Sequence, residues 1–172
     1  MSKRSRRYFL KEKEAKNFLD EFMQKLKFDL KRVFKAKVKI EIVETRFAEI
    51  YLINGRPLLA KSEGHVFPLL TFSELFTLAP KIVVDMGAIP YVCNGANIMA
   101  PGIVRFEGEF RKGDYVFVVD EKHGKPLALG IIDYDVDKVG NVNRGVVVKN
   151  LHFVGDKIWN FIKKLEVASR RR

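Results

Sequence analysis

The chain has a single cysteine, Cys93, in 172 residues, which excludes an internal disulfide framework and any Cys cluster for zinc. Its histidines, His65, His123 and His152, lie far apart, and none belongs to a His-x-x-x-His pattern of the kind that binds a catalytic metal. A Walker-type phosphate loop, a dinucleotide fingerprint and a serine nucleophile elbow are all missing. No apolar run approaches the roughly 20 residues that span a bilayer, and the charged start M-S-K-R-S-R-R has no signal-peptide core behind it. These absences predict a cytoplasmic protein that is not an enzyme, uses no metal or cofactor and meets no membrane. Acidic residues are also in short supply. There are 21 Asp and Glu against 32 Lys and Arg, a net charge of +11, and residues 1–39 alone hold 14 basic against 5 acidic residues. A field of that sign attracts polyanions, in a cytosolic protein mostly nucleic acid, although a solvated, Lys-rich surface has the same composition.

What is present reads in order as two structural classes. Residues 2–7 are polar, basic and expected to be mobile. From Lys11 the pattern turns helical. Ala15, Phe18, Leu19, Phe22, Met23 and Leu26 recur at helical spacing, with Lys11, Lys13 and Lys16 on the remaining, outward face. Residues 37–43 alternate as a half-buried strand, and Asn54-Gly55 joins two further strand-like runs, 47–53 and 56–61, as a hairpin. Thr71-Phe72-Ser73-Glu74 reads as a capping box opening a short helix through Phe76 and Leu78. This makes an α+β domain of residues 1–78. Residues 79–165 then carry short strands and tight turns at regular spacing, the pattern of a small barrel or sandwich with short helices. Asp156 is placed to cap a helix carrying Ile158, Trp159, Phe161, Ile162 and Leu165, and residues 166–172 read as a basic tail. The triplet Asp133, Asp135, Asp137 mimics the start of a calcium loop. Lys138 and Arg144 stand where such a loop needs Gly and Glu, so it reads as a solvated acidic turn.

The densest punctuation lies in residues 85–102, D-M-G-A-I-P-Y-V-C-N-G-A-N-I-M-A-P-G. The apolar run Ile82, Val83, Val84 enters it as a buried strand, Gly87 and Gly95 frame a short helix through Ala88, Ile89, Tyr91 and Val92, and Pro101-Gly102 end it. Gly87 is expected to supply backbone angles closed to other residues, and open amides at the turn would suit a phosphate or a chain end, although glycines framing a short helix are also ordinary fold punctuation.

Residues 84–102 resemble the opening of a PUA domain, the small RNA-binding pseudobarrel of pseudouridine synthases and archaeosine transglycosylases. The string Gly95-Ala96-Asn97-Ile98-Met99-Ala100-Pro101-Gly102 is the specific part. Residues 139–145, with Asn150-Leu151-His152-Phe153 and Asp156-Lys157-Ile158-Trp159, resemble the C-terminal signature of the malignant T-cell amplified sequence family and its archaeal counterparts. Residues 53–59 and 64–68 are similar to that family's pre-PUA domain, so the likeness covers almost the whole chain. The resemblance implies an α+β pre-PUA domain followed by a mostly β PUA pseudobarrel. It implies a non-enzymatic translation factor that binds the tRNA acceptor end and acts at the small ribosomal subunit in initiation or recycling, beside a protein partner with an initiation-factor fold. Carried over by position, the RNA-facing residues are Gly87, Ala88, Gly95, Ala96, Asn97, Met99, Pro101 and Gly102. Met86 and Pro90 stand where family members often have Lys, so the resemblance implies either that another cation, Arg105 or Arg144, takes over or that acceptor-end binding is weaker than the family pattern. Lys11, Lys13 and Lys16 would contact ribosome or partner. PUA domains also deliver tRNA to catalytic partners, so a targeting subunit of an RNA-modifying enzyme is the alternative, and a protein adaptor whose charge serves only solubility is a third.

Overall fold

The computed structural model of the chain describes residues 5–34 and 37–171. It divides into two compact units, Met1–Glu74 and Leu75–Arg172. In the first, β1 (Arg6–Phe9) leads into α1 (Glu12–Leu26), and β2 (Ile40–Glu44), β3 (Glu49–Ile53), β4 (Arg56–Ser62) and β5 (His65–Pro68) follow as an antiparallel meander. The sheet order is β1-β2-β3-β4-β5. The apolar stripe predicted for α1 is its inner face: Ala15, Leu19, Phe22 and Leu26 are buried, and Phe18 stacks on Tyr51 with ring centroids 4.5 Å apart. Asn54 (φ 50°) and Gly55 (φ 81°) form the expected hairpin turn.

Three local expectations fail here. Arg6 and Arg7 are not in a mobile arm: β1 pairs with β2 from Arg6 opposite Glu44 to Phe9 opposite Glu41, and the Arg7 Nε donates to Glu41 at 2.8 Å. Residues 2–4 lie outside the described residues. The strand expected over 37–43 begins only at Ile40, because Asn54 at the hairpin turn takes up Lys39 on both sides. Its side-chain oxygen accepts the Lys39 N–H at 2.9 Å and its own N–H donates to the Lys39 carbonyl at 2.9 Å. The capping box does not form either. The Thr71 hydroxyl donates to the Pro57 carbonyl at 3.1 Å, and Glu74 receives a two-pronged bond from Arg56 at 2.6 and 2.9 Å. That bond is the main reason the Glu74 carboxyl is held down at about 2.

α2 (Ser73–Leu78) leads to the second unit, which contains β6 (Lys81–Val84), α3 (Ile89–Val92), β7 (Ile98–Met99), β8 (Ile103–Glu107), β9 (Tyr115–Asp120), β10 (Pro126–Ile132), α4 (Val136–Val139), β11 (Val146–Phe153) and α5 (Lys157–Arg170). Its six strands form one curled, barrel-like sheet in the order β7-β11-β10-β9-β6-β8, antiparallel except where β6 runs parallel to β9. Ile82, Val84, Val116, Val118, Ala128, Ile132 and Val148 fill its interior. This is the α+β unit followed by a mostly β pseudobarrel that the sequence predicts.

Asp156 caps α5 as expected, with Oδ1 accepting the Trp159 N–H at 2.6 Å and Oδ2 accepting the Phe153 N–H at 3.0 Å. Burial opposes the charge on Asp156, but the bonds from His152, Trp159 and Phe153 outweigh it and its carboxyl titrates below the usual range. α5 continues to Arg170, through most of the segment read as a tail. The acidic triplet is a turn at α4: Asp135 is the N-cap residue and its Oδ1 accepts the Lys112 N–H at 2.8 Å. Among the described residues no His, Cys, Asp and Glu group as a metal site, and no helix is long and apolar enough to cross a membrane.

Candidate nucleic-acid interface

Residues 85–102 form an excursion between β6 and β8, two strands that pair antiparallel. At its base the Asp85 N–H donates to the Gly102 carbonyl at 3.0 Å. Inside it, a 3-10 turn (Met86–Ala88) runs into α3, and a second 3-10 turn (Ala100–Gly102) returns the chain to β8. β11 holds the far side. The Asn150 amide donates to the carbonyls of Val92 at 3.1 Å and Ala96 at 3.0 Å, its N–H donates to Asn97 Oδ1 at 3.0 Å, and the Gly145 carbonyl accepts the Ala100 N–H at 2.9 Å.

The excursion encloses a cleft of about 390 Å³. Of the positions singled out from the sequence, Gly87, Ala88, Ala96, Asn97, Met99, Pro101 and Gly102 line it. Gly95, Arg105 and Arg144 do not. Gly95 turns the chain at φ 94°, and a Cβ there would come within 3.1 Å of the Phe153 ring, so its requirement is local. Arg105, exposed on β8, is paired with Glu107 at 3.1 Å. Arg144 is exposed in the turn before β11. Lys11, Lys13 and Lys16 belong to the other unit, where all are exposed at the start of α1.

The cleft differs from a phosphate cradle in two respects. Gly87 has no left-handed backbone: it sits in the 3-10 turn, where a Cβ would lie 3.3 Å from Asp85 Oδ1. The Ala88 amide is already occupied, donating to Asp85 Oδ1 at 2.9 Å, and the Met86 N–H faces Glu121 Oε1 at 3.4 Å. Beside these engaged amides the cleft presents an apolar surface of Val84, Val92, Ile98, Met99 and Pro101, with Tyr91 on its wall. Tyr91 is 70% exposed and Met99 47% exposed. From the sequence, Tyr91 stands out only as part of a short helix. The available signal was its neighbour: in a helix of one turn, burying Val92 against the core sends the adjacent residue outward. Cys93 packs at the core edge, and burial pushes its thiol up, which fits an inert side chain rather than a nucleophile.

Comparison with known proteins agrees with this architecture. The model of the PUA domain matches residues 80–154, and that of a domain of unknown function (DUF1947) matches residues 6–73. The chain is 39% identical to an uncharacterized protein of Methanocaldococcus jannaschii, over 91% of this chain and 96% of that one. It is 30% identical to Translation machinery-associated protein 20 of Saccharomyces cerevisiae, over 73% and 74% of the two chains. Malignant T-cell-amplified sequence 1-B of Xenopus laevis is 28% identical over 76% of each chain. The crystal structure of a hypothetical protein from Pyrococcus horikoshii superposes with a TM-score of 0.76 at 33% identity, covering 91% of this chain and 99% of that one.

Proposed function

The chain belongs to the malignant T-cell-amplified sequence family, RNA-binding proteins associated with the translation machinery, and on that premise we propose that its PUA domain holds the single-stranded 3′ end of tRNA at the small ribosomal subunit. The observation that carries this reading is the cleft of residues 85–102, an apolar recess with the exposed Tyr91 on its wall. An unpaired base presents a flat, sequence-independent face to such a surface, and stacking with shape is how proteins hold single-stranded ends. The terminal base lies against Tyr91 and Met99, while Asn97, pinned by Asn150, keeps the loop in shape. In this scheme phosphates stay outside the apolar recess. Arg144 and Arg105 are the candidate outer contacts for the acceptor strand, and an initiation-factor-like protein is the candidate partner.

The basic first unit supplies a second anchor on ribosomal RNA through Lys11, Lys13 and Lys16, because each phosphate neutralised releases counterions and makes binding salt-sensitive. Reversal of these three lysines to Glu should weaken binding to isolated small subunits by at least about tenfold at low salt and flatten its salt dependence, with tRNA affinity changed far less. Sedimentation with subunits and filter binding with tRNA, run at two salt concentrations, check this. A larger loss for tRNA than for subunits would overturn the division of labour between the two units.

A further inference from the structure

The charge inside the cleft is opposite to what a phosphate needs. Among the described residues, Asp85 is the one charged residue on its wall, and neither Lys nor Arg lines it. Oδ1 of Asp85 is used by the Ala88 N–H, while Oδ2 has no hydrogen-bond partner among the described residues. Glu121 reaches the Met86 N–H of the same turn, which adds a second carboxylate beside the recess. Met86 and Pro90, at the same turn, are uncharged and do not offset it.

We propose that Asp85 makes this cleft selective for an RNA 3′ end whose terminal ribose carries free hydroxyls, and that it turns away an end closed by a phosphate. The inference rests on the reading of the cleft as an RNA 3′-end site. A carboxylate only accepts hydrogen bonds, and a ribose hydroxyl donates one to it with charge assistance. A terminal phosphate has the opposite character. It brings further negative charge and acceptor oxygens toward Asp85 in a recess whose apolar walls weaken solvent screening, and like charges brought together in this way discriminate strongly between partners. The cleft thereby distinguishes a mature, chargeable 3′ end from a cleavage product that ends in phosphate.

The test uses the full chain and three 5′-labelled acceptor-stem hairpins: one with the single-stranded tail ending in a 3′-hydroxyl, one with the same tail ending in a 3′-phosphate, and one without the tail. Fluorescence anisotropy should show the hydroxyl end bound at least about tenfold more tightly than the phosphate end. In Asp85→Asn this preference should fall to within about twofold, because Asn keeps an oxygen for the Ala88 N–H and removes the charge. Equal affinity of the native protein for the two tailed hairpins, or tighter binding of the phosphate end, would overturn the inference while leaving the 3′-end reading intact. A preference that persists undiminished in Asp85→Asn would overturn the assignment to Asp85. Equal binding of the tailless hairpin, or no binding of any of the three, would remove the 3′-end reading itself and the inference with it.

Discussion

Tyr91→Ala should weaken binding of a single-stranded tRNA 3′ tail by roughly five- to a hundredfold while the protein remains fully folded. The estimate follows from stacking: removal of an aromatic platform under one base costs about 1–3 kcal/mol. The stability side of the prediction follows from exposure. Tyr91 is 70% exposed, and neither its hydroxyl nor its ring is tied to another side chain among the described residues, so thermal unfolding should shift by no more than the equivalent of about 0.5 kcal/mol. Tyr91→Phe keeps the ring face and should keep most of the affinity. Anisotropy titration of the three proteins beside their melting curves separates the two effects. A loss of affinity that tracks a loss of stability would make Tyr91 a packing residue and not a binding surface.

The second large effect is on stability and reaches the site indirectly. Gly130 lies in β10 opposite Asn150, where the pairing with β11 shifts register. A Cβ added there would overlap both the Lys149 carbonyl oxygen and the Val148 Cγ1. The first of these is backbone in a central pair of strands and cannot swing aside, so Gly130→Ala should destabilise the unit by about 3 kcal/mol. That corresponds to a fall of roughly 6–12 °C in melting temperature for a chain of this size. Displacement of β11 also displaces Asn150, which holds the carbonyls of Val92 and Ala96. Amide exchange should therefore rise in residues 93–97 as well as in β10 and β11. A variant with unchanged melting and exchange would mean that the two strands can separate at no cost, contrary to their close approach.

How far the sequence reached depends on whether the determinant was local. The α1 stripe was legible because burial of Ala15, Leu19, Phe22 and Leu26 is written at helical spacing. The Asn54-Gly55 turn was legible because Asn and Gly tolerate positive φ. The Glu63-Gly64 turn adopts nearly the same angles, 50° and 81°, and was not, because Glu is a poor advertisement for that conformation. β1 escaped notice because Arg6-Arg7-Tyr8-Phe9 has no alternation of polarity. It becomes a strand through pairing with residues more than thirty positions later. Thr71 and Glu74 had the spacing of a capping box, yet Pro57 and Arg56, brought close by the fold, offered them other partners.

The site divides along the same line. The glycines and the string ending at Gly102 marked where the chain makes its excursion, and seven of the positions carried over from the family resemblance line the cleft. What the sequence could not give was the state of the amides. The Asp85 side chain closes back on the Ala88 N–H and Glu121 arrives from the turn after β9 at the Met86 N–H, so two of the donors expected to meet phosphate are engaged, and most of the recess is apolar. Gly95 and Asn97 shape the loop, through the Phe153 ring and the Asn150 N–H. Arg105, read as a spare cation, has Glu107 two residues along the same strand face, a pairing that alternation along a strand makes foreseeable.

On the proposed function, the cleft of residues 85–102 receives the single-stranded 3′ end of tRNA. Its most direct test is the affinity of the intact protein for tRNA before and after the unpaired 3′ nucleotides are trimmed, measured at fixed salt so that the general attraction of a chain with net charge +11 is held constant. Affinity should fall at least about tenfold on trimming, with most of that loss absent when the protein carries Tyr91→Ala. Equal affinity of the intact protein for whole and trimmed tRNA would contradict it.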